Sequence, residues 1–129
     1  MDPSPCRDTP IVLVAEDEPL VRMVAVDILE DAGWTVIEAV DAEAALSVLN
    51  ERSDVQVLVT DVEMPPGPLN GFDLARLTRE RFPEVSVIIV SGKVRPRPGD
   101  LPSGARFVPK PYCATKLTRV VQDVMTRTA

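Results

Sequence analysis

Short apolar runs alternate with helix-period segments along almost the whole chain. Ile11–Ala15 is continuously apolar, as expected of a strand covered on both faces rather than one. Pro19 then opens a helix reaching about Ala32, with proline in the first turn, where its missing N–H costs least. Val21, Val24, Ala25, Ile28 and Leu29 are expected to form its inner stripe, and Gly33 suits a left-handed C-terminal cap. Trp34 reads as a packing aromatic at the start of a second strand, Thr35–Ala39. Asp41 can cap a helix running to about Arg52, with Ala45, Leu46, Val48 and Leu49 inward.

A third strand, Val55–Thr60, leads through a Pro/Gly-rich loop (64–70) into a helix from about Gly71 to Phe82, stopped by Pro83. A fourth strand follows at Val85–Val90 and a short fifth at about Ala105–Val108. The final helix, about Ala114 to Thr126, carries Leu117, Val120, Val121, Val124 and Met125 at a 3.6-residue period. One segment breaks the rhythm. Pro96, Pro98, Gly99, Pro102 and Gly104 leave no room for a regular helix between strands four and five, so a loop or a single turn is expected there.

Strict β–α alternation with buried strands predicts a doubly wound parallel sheet with right-handed crossovers and helices on both faces. Five strands suit the flavodoxin-like order 2-1-3-4-5, which sets the first strand beside the third. The domain is expected over 10–129 behind a short leader, 1–9.

Composition narrows the function. A chain of 129 residues, 45% hydrophobic and 26% charged, is one ordinary globular domain. Its longest apolar run is about six residues, against the ~20 a spanning helix needs, and the N-terminus has no signal-peptide pattern. A cytoplasmic protein without a membrane role is expected. Cys6 and Cys113 make neither a disulfide framework nor a metal spacing. The absence of histidine excludes a His-based zinc site, a Ser-His-Asp triad and an internal histidine phosphodonor. The net charge of −6 argues against nucleic-acid binding, which depends on neutralising phosphates. The balance is uneven, however. Residues 93, 95, 97, 106, 110, 116 and 119 are basic against the single acid Asp100, which reads as a solvated face or as a docking face for an acidic partner.

The chemistry sits at the strand ends. The first strand runs into Glu16, Asp17 and Glu18, the third into Asp61, the fourth into Ser91 and the fifth into Lys110. In such sheets the C-terminal strand ends share one crevice. Acidic cluster, lone carboxylate, hydroxyl and ammonium would meet there, a set able to hold a divalent cation and take a phosphoryl group onto Asp61. Crowded carboxylates without metal should raise at least one pKa, with a titration belonging to the cluster.

These motifs resemble the receiver domain of bacterial two-component response regulators. Leu-Val-Ala-Glu-Asp-Glu-Pro (13–19), Val-Thr-Asp-Val-Glu-Met-Pro (59–65), Ile-Val-Ser-Gly (89–92) and Phe-Val-Pro-Lys-Pro (107–111) carry the resemblance, over about residues 10–127. It implies Asp61 as phosphoacceptor, and Mg²⁺ held by Glu16, Asp17 and Asp61 with the Glu63 main-chain carbonyl. It further implies Ser91 as switch hydroxyl, Phe107 as switch aromatic, Lys110 as the site lysine and a cis Lys110–Pro111 bond. The implied function is a signalling phosphoacceptor, not an enzyme in the usual sense. The phosphoryl group would come from a sensor histidine kinase or histidine phosphotransfer protein. A stand-alone unit is expected, a monomer or weak dimer acting on an output protein the sequence does not name.

The chain departs from the family pattern in three places: Glu16 stands where Asp is commoner, the 61–71 loop looks longer, and the fourth helix is expected to be reduced or replaced by the Pro-rich segment 93–104. Three alternatives remain. A pseudo-receiver would bind partners without phosphorylation. An aspartyl-phosphate hydrolase would use Glu63, two residues past the nucleophile, but needs a cap this chain is too small to build. A flavodoxin-like carrier would need a phosphate loop where three acids stand.

Overall fold

The computed structural model describes residues 10–63, 69–92 and 95–128, and side chains as far as Met125. Five strands, β1 (Ile11–Ala15), β2 (Thr35–Ala39), β3 (Val55–Asp61), β4 (Ser86–Ser91) and β5 (Arg106–Pro109), form one parallel sheet in the order β2-β1-β3-β4-β5. Among the described residues four helices connect and cover them: α1 (Pro19–Asp31), α2 (Ala42–Glu51), α3 (Gly71–Arg81) and α4 (Ala114–Thr128). The expected sheet order holds, and each predicted element lies within two residues of its expected bounds. The leader 1–9 and the proline-bearing part of the 61–71 loop (64–68) lie outside the described residues, as do Lys93 and Val94.

Because successive side chains on a strand point to opposite faces, the central strands feed two cores. Leu13, Leu58, Val87 and Ile89 pack with α2 and α3 on one face. On the other, Val12, Val14, Val57, Val59, Ile88 and Val90 pack with α1 and α4. Burial on both sides explains why β1, β3 and β4 are almost uninterrupted apolar runs. Trp34 is half-buried against the second of these cores, as expected of a packing aromatic.

The inner stripe of α1 differs from expectation. Ala25, Val26 and Leu29 are buried, whereas Val24 is 56% exposed. The inward positions step 22-25-26-29, and the first of them is Arg22. Apolar periodicity passes over it because it is charged. Its guanidinium nevertheless lies inward, donating to the Glu16 carbonyl (2.8 Å) and the Glu38 carboxylate (2.9 Å). The stem covers apolar surface while the head is paired.

Between β4 and β5 the described residues 95–105 contain turns and no helix. Asp100 N–H donates to the Arg97 carbonyl (2.9 Å), and the Asp100 carboxylate accepts from Arg97 N–H (2.7 Å). Gly99 has φ +93°, which a type II turn demands at its third position and which Pro98 before it favours. A second turn closes from Ala105 N–H to the Pro102 carbonyl. The prolines thus act as their spacing predicts, removing donors and fixing φ where a helix would need both.

Candidate functional site

The sheet order is what assembles the site. β1 pairs with β3 so that Ala15 lies opposite Thr60, and the next residues of each strand, Glu16 and Asp61, become neighbours. β3 pairs with β4 and β4 with β5, placing Ser91 opposite Pro109. Carboxylate oxygens of Glu16, Asp17 and Asp61 lie within 4.8 Å of one another. Lys110 reaches into the same space, its Nζ 3.1 Å from Glu16 Oε1 and 3.5 Å from Asp61 Oδ2.

Each group is held. Glu16 donates its backbone N–H to Ala39 O (3.0 Å), and its Oε2 accepts from Glu18 N–H (3.2 Å). Asp61 Oδ1 accepts from Val62 N–H (2.7 Å), which leaves Oδ2 facing Lys110. Thr60 Oγ1 donates to the Asp61 carbonyl. Lys110 N–H donates to the Ser91 carbonyl (2.9 Å), and the Lys110–Pro111 bond is cis, as the resemblance implied. Ser91 is buried at the β4 end, beside the entry to Lys110.

Glu63 lies two residues past Asp61 with its side chain exposed. Phe107 is half-buried and packs against the core that α2 and α3 cover, as do Leu101 and Ala105 from the turns before it. The Arg95 guanidinium stands 6.0 Å from its ring centroid, within cation–π range. Sequence reasoning missed Arg22, and it missed the contacts of Arg95 and Gly71, which depend on approach through space. Only the Gly at the expected start of α3 left a visible signal.

Electrostatics follow from the crowding. Burial pushes the Glu16 carboxyl above its ordinary 4.5. The Glu18 amide and Lys110 pull it back, and the Asp61 charge adds to the rise. Burial works against the Lys110 ammonium, but the charges of Asp61 and Glu16 outweigh it and raise its pKa above 10.5. Tyr112, half-buried nearby, is raised by burial. The rise expected within the cluster thus falls on Glu16, the most buried of its acids.

A carboxyl with a higher pKa folded than unfolded binds its proton more tightly when folded. Its favourable contribution is complete below pH 4.5 and is lost as pH rises through the raised folded value. Ionised Glu16 therefore works against folding at neutral pH. Glu16→Gln is expected to raise the Tm of the metal-free protein at neutral pH, and the gain should shrink as the pH is lowered toward 4.5. Thermal unfolding across that range checks it. A lower Tm for the variant at neutral pH would contradict the account.

Three carboxylates with one ammonium, all oxygen ligands on the acidic side, suit a hard divalent cation that keeps part of its water shell. Comparison with known proteins agrees with the class that fold and site define. The response regulator receiver domain model matches residues 12–122, and the chain belongs to that family. It is 36% identical over 118 residues to the sensor kinase CckA of Brucella abortus, covering 88% of this chain and 12% of the kinase. It is 28% identical over 117 residues to the nitrogen assimilation regulatory protein NtrX of Azorhizobium caulinodans, covering 88% of this chain and 26% of that protein. The chain thus spans a small part of these curated relatives. Among solved structures, a response regulator receiver domain protein from Clostridium thermocellum superposes with a TM-score of 0.80 at 28% identity, over 92% of this chain and 95% of that one. No helix among the described residues is long and apolar enough to cross a membrane.

Proposed function

We propose that this protein is a phosphoacceptor of a two-component or phosphorelay system. Asp61 would take a phosphoryl group from a phosphohistidine on a sensor kinase or histidine phosphotransfer protein, in a Mg²⁺-dependent reaction. The observation that carries this is the position of Lys110 Nζ, between Glu16 and Asp61 within a trio of converging carboxylates.

In the transfer, Asp61 Oδ2 forms a bond to phosphorus while the bond from phosphorus to the donor nitrogen breaks. The electron pair leaves with the imidazole, and an aspartyl phosphate remains. The Val62 amide holds the other oxygen and so orients the attacking one. Lys110 offers a compact positive charge to the transferring phosphoryl oxygens. Glu16, Asp17 and Asp61, with the Glu63 main-chain carbonyl, would hold Mg²⁺. Bound there, Mg²⁺ supplies charge neutralisation between an anionic nucleophile and an anionic donor.

The phosphoryl group then adds roughly −1.5 to −2 charge and three acceptor oxygens. The Ser91 hydroxyl would bond one of them, drawing the β4 end inward and making room for Phe107 to turn. That turn must leave the contact with Arg95, worth about 0.5–1 kcal/mol at an exposed site, so the loop at 95–105 biases the switch. The output is a changed affinity for a partner protein. Leu20, Met23 and Val24 on α1 and Val40 just past β2 are exposed apolar side chains that would offer the phosphoryl donor a docking surface.

Incubating the protein with Mg²⁺ and acetyl phosphate should add one phosphoryl group by intact mass. The label should be absent when Mg²⁺ is chelated. Slow loss of label supports a receiver, rapid multiple turnover would indicate a hydrolase, and no label would favour a pseudo-receiver.

A further inference from the structure

At the edge of the sheet opposite the carboxylates, where β4 and β5 begin, Arg79, Ser86, Ser103 and Arg106 line a cavity of about 190 Å³, with Val87 and Val124 as its apolar wall. Arg79 comes from the last turns of α3 and donates from Nη1 to the Pro83 carbonyl (2.9 Å). Arg106 opens β5. Both are half-buried, and among the described residues neither pairs with a carboxylate. No acid lines the cavity, although the chain carries 20 acidic residues against 14 basic ones.

Two half-buried arginines lining one cavity without a carboxylate to pair with leave a local excess of positive charge that an anion would complete. The C-terminal end of α3 contributes only about half a negative charge, which two full positive charges outweigh. Ser103 reaches this place because the turn at 102–105 stands where a helix would otherwise run.

We propose that this cavity binds a phosphate-class oxyanion, either inorganic phosphate or the phosphoryl group of a small metabolite. The Arg106 fork, and the donors that the bond to Pro83 leaves free on Arg79, would bond oxygens of such an anion, and two hydroxyls would add donors. This is more than a two-oxygen carboxylate uses and suits the tetrahedral oxygens of phosphate. The volume lies below the about 300–1,000 Å³ that drug-sized ligands occupy, so a nucleotide would not be enclosed.

The test is titration of inorganic phosphate into the ¹⁵N-labelled full chain without Mg²⁺, with chloride at matched ionic strength as control. Saturable shifts at the Ser103, Gly104 and Arg106 amides are expected, reproduced by sulfate and not by chloride. Arg79→Gln with Arg106→Gln should weaken binding at least tenfold. Arg106→Lys, which keeps the charge but not the fork, should fall between, and a thermal melt of each variant confirms that it is folded. Sugar phosphates tested alongside inorganic phosphate separate the two sources. Non-saturating shifts, equal shifts with chloride, or shifts centred on Asp61 and Lys110 alone would overturn the proposal.

Discussion

Asp61→Asn is expected to abolish labelling by acetyl phosphate while leaving the protein folded. Asn keeps the shape, and its carbonyl oxygen can still accept from the Val62 amide as Asp61 Oδ1 does at 2.7 Å. What it loses is the anionic oxygen facing Lys110, the only nucleophile the proposed transfer uses. Lys110 retains Glu16 at 3.1 Å, so its ammonium is not stranded. Intact mass should show label at background in the variant against one phosphoryl group in the parent, with Tm near the parental value. Undiminished label in the folded variant would move the acceptor to Glu16 or Asp17 and sink the assignment of Asp61.

Gly71→Ala is expected to be the most damaging conservative substitution near the site. Gly71 donates its N–H to the Val62 carbonyl (2.8 Å), so the first turn of α3 lies against the chain just past Asp61, the proposed phosphoacceptor. A Cβ there would sit 2.0 Å from the Asp61 carbonyl oxygen and 2.8 Å from Val62 Cα. Both are backbone atoms, which cannot swing aside as a flexible side chain would. Either α3 lifts from the sheet or the Asp61–Val62 backbone moves. Overpacking of this kind costs about 3 kcal/mol at its upper range, roughly a 10 °C loss in Tm for a domain of this size. Acetyl phosphate labelling should fall along with stability, because the displaced backbone is that of Asp61. An unchanged Tm would show that the approach is looser than described.

Periodicity marked the elements well because the central strands are buried on both faces. A doubly buried strand reads as an apolar run and a flanking helix as a 3.6-residue stripe. The proline spacing at 96, 98 and 102 was equally legible, since it acts locally through missing donors and fixed φ. The errors share one cause. Val24 reads as inward but is exposed, and Arg22, which the apolar stripe passes over, lies on the inner face, where Glu16 and Glu38 stand within reach of its guanidinium. No local pattern contains those partners.

The same division holds for chemistry. Residue types at strand ends were enough to nominate Glu16, Asp17, Asp61, Ser91 and Lys110, since parallel strands deliver their C-terminal ends to one edge. Strand order alone makes β1 and β3 neighbours, and it is this adjacency that closes three carboxylates to within 4.8 Å. The rise at Glu16, the close seat of Gly71 and the meeting of Arg79 and Arg106 at one cavity were decided by tertiary structure. Each is a property of distances between residues far apart in the chain, while sequence patterns record only what lies a few residues away.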